Sequence, residues 1–379
     1  MAGVESDRAQ RVTRRRLLMT AGGVAAAGSV AYVAGRGVTY SGSQVAPRSA
    51  GGGPAGLNAF AANVVPGGPG RDGIPAIDRP RFIVPRPGLL ADDDVVFGLA
   101  HGGQIRAYPQ LILVWHEIVN DRFADGRLSI TYCPLAGSVA GYRGRAPGGR
   151  PYTFGTTGEL VNSSLLMYDR QTGSTWPQIL GEAITGPARG RFLEAVPLEW
   201  TTWGRWRTLH PGTLMLATQT GYLRPYGTDP YGSYRPLSGY YADGNIIFPV
   251  MRYSRRFPAK EVFIAVTHRQ AHLAARKQTL RDRGVLTTNV AGDPVIFLYD
   301  PALDDGGAFL PRTADGLLRL APVPGRPGYY RDAASGSAWD ASGAAVQGPS
   351  RGAVLPRLPA FNVMWFAWYA FFPGTVVLA

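Results

Sequence analysis

The chain contains one cysteine, Cys133, and five histidines, one of which opens the run His116-Glu117-Ile118-Val119-Asn120-Asp121. A cysteine held beside a histidine can become a reactive thiolate, because the imidazolium stabilises the anion. The same pair, Cys133 and His116, can ligate a soft or borderline metal, copper or another transition-metal ion, with Met167 or Met251 adding a thioether. Glu117, Asn120 or Asp121 can orient the imidazole. His116 with Glu117 or Asp121 can also act as acid and base without the thiol. The plainer alternative has His116 facing the dipole at a helix C-terminus and Cys133 as buried filler. Tyr168-Asp169-Arg170 offers an arginine clamp for an anionic ligand, or a structural ion pair at a strand end. The sequence contains no Gly-Lys-Ser/Thr, no GxSxG, no HExxH and no CxxC, so the familiar phosphate-loop, nucleophile-elbow, zincin and dithiol motifs are excluded.

Elements must bring these residues together, and the chain reads as if it builds them twice. Asp169 to Trp176 matches Asp332 to Trp339; Trp203 and Trp206 match Trp365 and Trp368; Pro211-Gly212-Thr213 matches Pro373-Gly374-Thr375. These matches lie 162 or 163 positions apart, and Tyr132-Cys133-Pro134 matches Tyr299-Asp300-Pro301 at 167. Two units this long are unlike a solenoid. The expectation is an α+β, β-rich fold of two fused homologous halves related by internal duplication. Residues 72–220 form the first half, a Tyr/Gly/Pro-rich connector covers 221–258, and a degenerate second half covers 259–379. Within the first half, strands are expected at Val95–Leu99, Leu128–Tyr132, Val139–Tyr142, Leu165–Tyr168 and Leu214–Ala217. Helices are expected at Tyr108–Val119, where Leu111, Val114, Trp115 and Ile118 recur at helical spacing, and at Trp200–Leu209. Core positions should recur in both halves. A polar residue found in only one half is the better functional candidate. Copy one has His116 and Cys133 where copy two has Arg283 and Asp300, which directs attention to copy one.

At the N-terminus, Thr13-Arg14-Arg15-Arg16-Leu17-Leu18-Met19 precedes an apolar run from Leu17 to Val33. Paired arginines before a weakly apolar run indicate a twin-arginine signal over residues 1–34, so the twin-arginine translocase is the expected export partner. Left uncleaved, residues 17–33 would serve as a membrane anchor. A Gly/Pro/Ser-rich linker is expected over residues 35–71. The expected location is therefore outside the cytoplasm. The net charge of +13 comes mostly from scattered arginines, which argues against a nucleic-acid patch. A single cysteine leaves no intramolecular disulfide.

Several motifs together resemble domain-of-unknown-function family 3179: Asp72-Gly73-Ile74-Pro75, Arg106-Ala107-Tyr108-Pro109, His116 to Asp121, Thr131-Tyr132-Cys133-Pro134-Leu135, Met167 to Arg170 and Ser174-Thr175-Trp176-Pro177-Gln178. The resemblance implies a prokaryotic, often exported protein in a family that includes annotated selenoproteins, and hence redox or nucleophilic use of Cys133. Family members often read Cys-Pro-Leu-Cys, whereas this chain reads Cys133-Pro134-Leu135-Ala136, which leaves one-thiol chemistry or metal binding. Three readings follow: thiol-dependent redox or metal handling through Cys133 and His116; a non-enzymatic envelope module for a small molecule or protein partner; and a His/carboxylate hydrolase or transferase.

Overall fold

The computed structural model describes residues 54–379 except 291 and 315. The twin-arginine motif and the apolar run behind it lie outside the described residues. Among the described residues no helix is long and apolar enough to cross a membrane.

The first half opens with a hairpin of β1 (Val95–His101) and β2 (Gln104–Pro109). Gly102 and Gly103, both at positive φ, make its two-residue turn, the geometry that matches the twist of paired strands. Helix α1 (Gln110–His116) follows at once, with Pro109 as its N-cap. It is shorter than the expected Tyr108–Val119. Tyr108 and Pro109 complete β2, and Glu117 turns left-handed at φ 58° and ends the helix. The β-branched Ile118 and Val119 then enter β3 (Ile118–Phe123). β3 pairs with β4 (Gly126–Cys133), which pairs with β5 (Ser138–Arg143). A meander of β6 (Phe154–Val161), β7 (Ser164–Asp169) and β8 (Thr175–Pro177) comes next. Then come β9 (Glu194–Val196), β10 (Glu199–Thr202), helix α2 (Trp203–Leu209) and β11 (Leu214–Leu216). Trp200, expected to start the helix, lies in β10 instead, where it sits opposite Phe97 of β1.

The strand order of the first half recurs in the second. The corresponding elements there include β12 (Val262–His268), β13 (Ala271–Arg276), α3 (Lys277–Arg283), β14 (Val285–Val290), β15 (Asp293–Asp300), β16 (Asp305–Phe309), β17 (Arg357–Leu358), β18 (Phe361–Met364), α4 (Trp365–Phe371) and β19 (Val376–Leu378). One sheet runs β10-β1-β2-β11, with Phe82–Ile83 added at its edge; its counterpart runs β18-β12-β13-β19. In both, the last strand pairs in parallel. A second sheet runs β9-β5-β4-β3, and its counterpart runs β17-β16-β15-β14. Cys133 sits opposite Ser138 in the first half where Asp300 sits opposite Asp305 in the second. The fold is thus β-rich with short helices, as expected.

Two segments read as linkers are built into the core. Residues 54–71 carry the helix Pro54–Ala62, whose Leu57 and Phe60 are buried, Phe60 lying against Phe371 at 5.2 Å. Their three-residue spacing puts both on one helix face. In the connector, Tyr231, Tyr240 and Tyr241 are buried, and Tyr234 stacks on Tyr241 at 3.8 Å. One apolar cluster contains Phe97, Tyr132 and Cys133 of the first half together with Phe263, Val363 and Trp365 of the second. The two halves therefore share a core.

Candidate functional site

The residues singled out in the first half are nearly all buried, and hydrogen bonding accounts for most of them. His116 donates from Nδ1 to the Pro75 carbonyl (2.7 Å), since a carbonyl only accepts, so Nε2 accepts from the Tyr226 hydroxyl (2.6 Å). Tyr226 is in turn bonded to Thr220 at 2.6 Å. Burial lowers the His116 pKa to about 4, and the nearby Arg224 also disfavours its charged form. Both ring nitrogens are thus committed. Asp121 accepts from the Tyr108 hydroxyl (2.6 Å), pairs with Arg106 (2.5 Å) and receives the Arg122 amide. Asn120 bridges Asp78, Phe154 and Ser129.

Glu117 is buried in a left-handed conformation that costs a side-chain-bearing residue about 1–2 kcal/mol. At the matching turn of the second half stands Gly284, at φ 73°. The Glu117 and Gly284 carbonyls accept the amides of Tyr132 and Tyr299 respectively, so the turn is the same and the residue differs.

Asp169 organises a turn by accepting from Thr172 and from the Trp176 indole at 2.9 Å. Asp332 holds the matching turn through Ser335. Arg170 faces Asp78 at 3.2 Å and Asp72 at 3.9 Å, and Tyr168 donates to Asp72. Of the two arrangements offered by the sequence, a clamp for an anionic ligand and an ion pair at a strand end, the structure has Arg170 ion-paired.

Cys133 is fully buried. Its turn runs under Tyr240, whose hydroxyl donates to the Leu135 carbonyl at 2.7 Å. Burial, and next the nearby Cys133 thiol, push the Tyr240 phenol well up. Among the described residues no group of three or more His, Cys, Asp or Glu side chains is placed to hold a metal ion. The metal pairing expected for Cys133 and His116 is thus not completed by further ligands of these types.

Beyond that turn the chain forms a cleft of about 400 Å³. Its walls come from both halves at matched positions. Val95 and Val262 begin β1 and β12, Trp200 and Asn362 are the second residues of β10 and β18, and Gly137 and Asp304 immediately precede β5 and β16. The two walls differ in chemistry. The first half contributes Trp200, edge-on to Tyr234 of the connector at 5.2 Å. The second half and the connector contribute four cations, Arg235, Lys260, Lys277 and Arg281, against two carboxylates, Glu261 and Asp304. Asp304 is shared by Arg281 (2.5 Å) and Arg235 (3.3 Å). Glu261 is taken by Arg276 from outside the cleft at 3.0 Å. Beneath, the buried Asp305 accepts from Lys277 (3.2 Å), the Asn362 amide (2.9 Å) and the Trp200 backbone (2.7 Å).

A family model described as a protein of unknown function (DUF3179) matches residues 71–375. The chain belongs to the DUF3179 family. Compared with the curated proteins and with the solved structures, it shows no match. The DUF3179 match spans both halves and the connector, so it covers the cleft as well as the Cys133 turn. No motif in residues 221–258 or in the second half marks this cleft in the sequence. One signal was available. Lys260 and Lys277 are the only lysines in a chain with 39 Lys and Arg residues, and both line the cleft.

The burial of Cys133 has a direct consequence. A water-soluble disulfide reagent should leave the native protein unreacted over minutes and titrate one thiol after denaturation, because attack requires the thiolate to reach solvent through local opening. Rapid stoichiometric reaction of the folded protein would show that the turn opens readily.

Proposed function

We propose that this DUF3179 protein is a binding module of the cell envelope, and that a small organic anion binds in the cleft between its two halves. The observation that carries this reading is the set of four cations that line the cleft: Arg235 and Arg281 share one carboxylate, Asp304, Lys277 pairs with Asp305 beneath, and Lys260 has no carboxylate of the described residues within ion-pair distance. Ligand sites favour junctions between structural units, where apolar walls and a few convergent polar groups meet. The chain's positive charge adds long-range attraction for anions. Descent of the halves from one duplicated unit is part of the proposal, supported by their matching strand orders and by the residues repeated 162 to 167 positions apart. Placement outside the cytoplasm rests on the Thr13–Met19 motif. Thiol-dependent redox or metal handling draws less support, since Cys133 is enclosed and both nitrogens of His116 are engaged. The hydrolase or transferase reading meets the same histidine and an Asp121 whose two oxygens are taken.

Calorimetric titration with short organic acids such as lactate, beside their neutral amides, tests the proposal. The acids are expected to bind and the amides to fail. Val262→Trp, which fills the cleft from a partly exposed lining position, is expected to abolish binding. Ligand at about 100 times Kd should stabilise the fold by ~2.7 kcal/mol. Equal binding of the amides, or unchanged binding by the Val262→Trp protein, would overturn the reading.

A further inference from the structure

In a sequence that uses arginine almost everywhere, the two lysines stand together on one cleft wall. Lysine differs from arginine in what it can do as well as in shape. Its amine can lose its proton near neutrality and attack a carbonyl, which a guanidinium cannot. The two lysines are held differently. Lys277 is ion-paired with Asp305 at 3.2 Å and donates to the Asn362 side-chain carbonyl at 3.1 Å. Lys260 has its Nζ 3.3 Å from the centre of the Tyr240 ring and donates to the Tyr240 backbone carbonyl. No carboxylate of the described residues is within ion-pair distance of this nitrogen. Tyr240 is itself fixed by its hydrogen bond to Leu135, so Nζ is held by a rigid platform at the cleft wall.

We infer that Lys260 is a reactive amine that condenses with the carbonyl of a small oxo acid, whose carboxylate is held by Lys277 and Arg281. This rests on the cleft being a ligand site for organic anions, as proposed above. The step balances without an oxidant. The Nζ lone pair forms a bond to the carbonyl carbon while the C=O π pair moves to oxygen, giving a carbinolamine. The C–O bond then breaks, and oxygen leaves as water with the protons that the ammonium brought. Ammonium plus carbonyl becomes protonated imine plus water. Opposing effects bear on the amine. Burial favours its neutral form and lowers its pKa to about 8, while the charge of the Asp243 carboxylate and the ring face of Tyr240 favour the ammonium. Free amine is therefore present at neutral pH, and the cationic product keeps the contact with the ring.

The test is to incubate the full-length protein with pyruvate and sodium cyanoborohydride, which delivers hydride to the imine carbon and fixes the adduct, and then to map the added mass. With two lysines in the chain the assignment is unambiguous. The adduct is expected on Lys260, absent in Lys260→Arg and Val262→Trp, and about tenfold slower to form in Arg281→Gln, the loss of one charge-assisted contact. Equal labelling of Lys277 or the chain's amino terminus, or no adduct on Lys260, overturns the inference. Calorimetry with lactate, which has no carbonyl to condense, separates the two ideas. If lactate binds the wild type but not Val262→Trp and Lys260 is unlabelled, only the amine chemistry falls. If Val262→Trp binds lactate unchanged, the cleft reading falls with it.

Discussion

Replacing Asp305 by alanine is expected to destabilise the protein by about 3–5 kcal/mol, the cost of removing one partner from a buried ion pair. Asp305 is 1% exposed. Its carboxylate accepts from Lys277 and Asn362 of its own half and from the Trp200 backbone of the other. Burial pushes the carboxyl above its usual range, and Lys277 opposes that shift. Without it, a largely buried ammonium, a backbone N–H and an amide lose their acceptor together. Neighbouring contacts between the halves would loosen too, since Thr201 donates to the Leu303 carbonyl and Arg357 pairs with Glu199 at 2.5 Å. Chemical denaturation measures the loss. The double replacement Asp305→Leu with Lys277→Met is expected to cost much less than the single one, because no charge is then left unpaired. If the double variant were as unstable as Asp305→Ala, the defect would be one of packing and not of charge. Because Asp305 anchors both Lys277 and Trp200, the single variant should also weaken lactate binding.

The site at this junction was poorly legible in the sequence, for a physical reason. Helix and strand periodicity report on which face of an element is buried, and they served well for β1, β4, β5 and β7, all found near their expected places. The Pro109 signal gave the start of α1 to within a residue or two. The helix ends before the expected Val119 because, although Ile118 continues the helical apolar spacing, the deciding event is the left-handed turn at Glu117, a residue with no intrinsic preference for it. The pairing of Cys133 with Asp300 emerged from offset alone and agrees with the strand registers. Polar residues present in only one copy are the functional candidates that the duplication pattern offers. His116 and Asp121 are unique and polar, yet they are enclosed partners of Tyr226, Tyr108 and Arg106. The cleft draws on residues far apart in sequence, Trp200, Tyr234, Lys260 and Lys277, and no local pattern says that they meet. Only residue type was informative, because two lysines among so many arginines mark places where a guanidinium does not serve.

Acid should expose the cost of enclosing histidines, and the sign follows from the direction in which burial moves them. His116 and His272 have their pKa values lowered from 6.5 to about 4, chiefly by burial. Above pH 6.5 both are neutral whether folded or unfolded, and neither penalises folding. As pH falls from about 6.5 to about 4, the unfolded chain takes up protons that the folded protein refuses, so stability declines. Below about 4 the penalty levels off. A tenfold difference in proton affinity between the folded and unfolded chain corresponds to about 1.4 kcal/mol, so His116 should cost roughly 2 kcal/mol by pH 5, and the less enclosed His272 somewhat less. Asp229 and Asp300, whose carboxyls burial raises, act in the opposite sense at the acid end, because the folded protein binds their protons more tightly. The total slope therefore mixes signs, and a comparison of variants is the cleaner measure. His116→Gln should be less stable than the wild type at pH 7.5, having lost a well-placed ring between Pro75 and Tyr226. It should lose about 2 kcal/mol less than the wild type between pH 7.5 and pH 5, as followed by urea denaturation. Parallel curves would mean that His116 takes up its proton in the folded protein, which requires the Tyr226 hydroxyl to accept from Nε2 and to donate to Thr220 instead. That outcome would return the histidine to the groups able to act on a ligand. Converging curves would leave it a structural residue, neutral at working pH, and leave proton traffic near the cleft to Lys260.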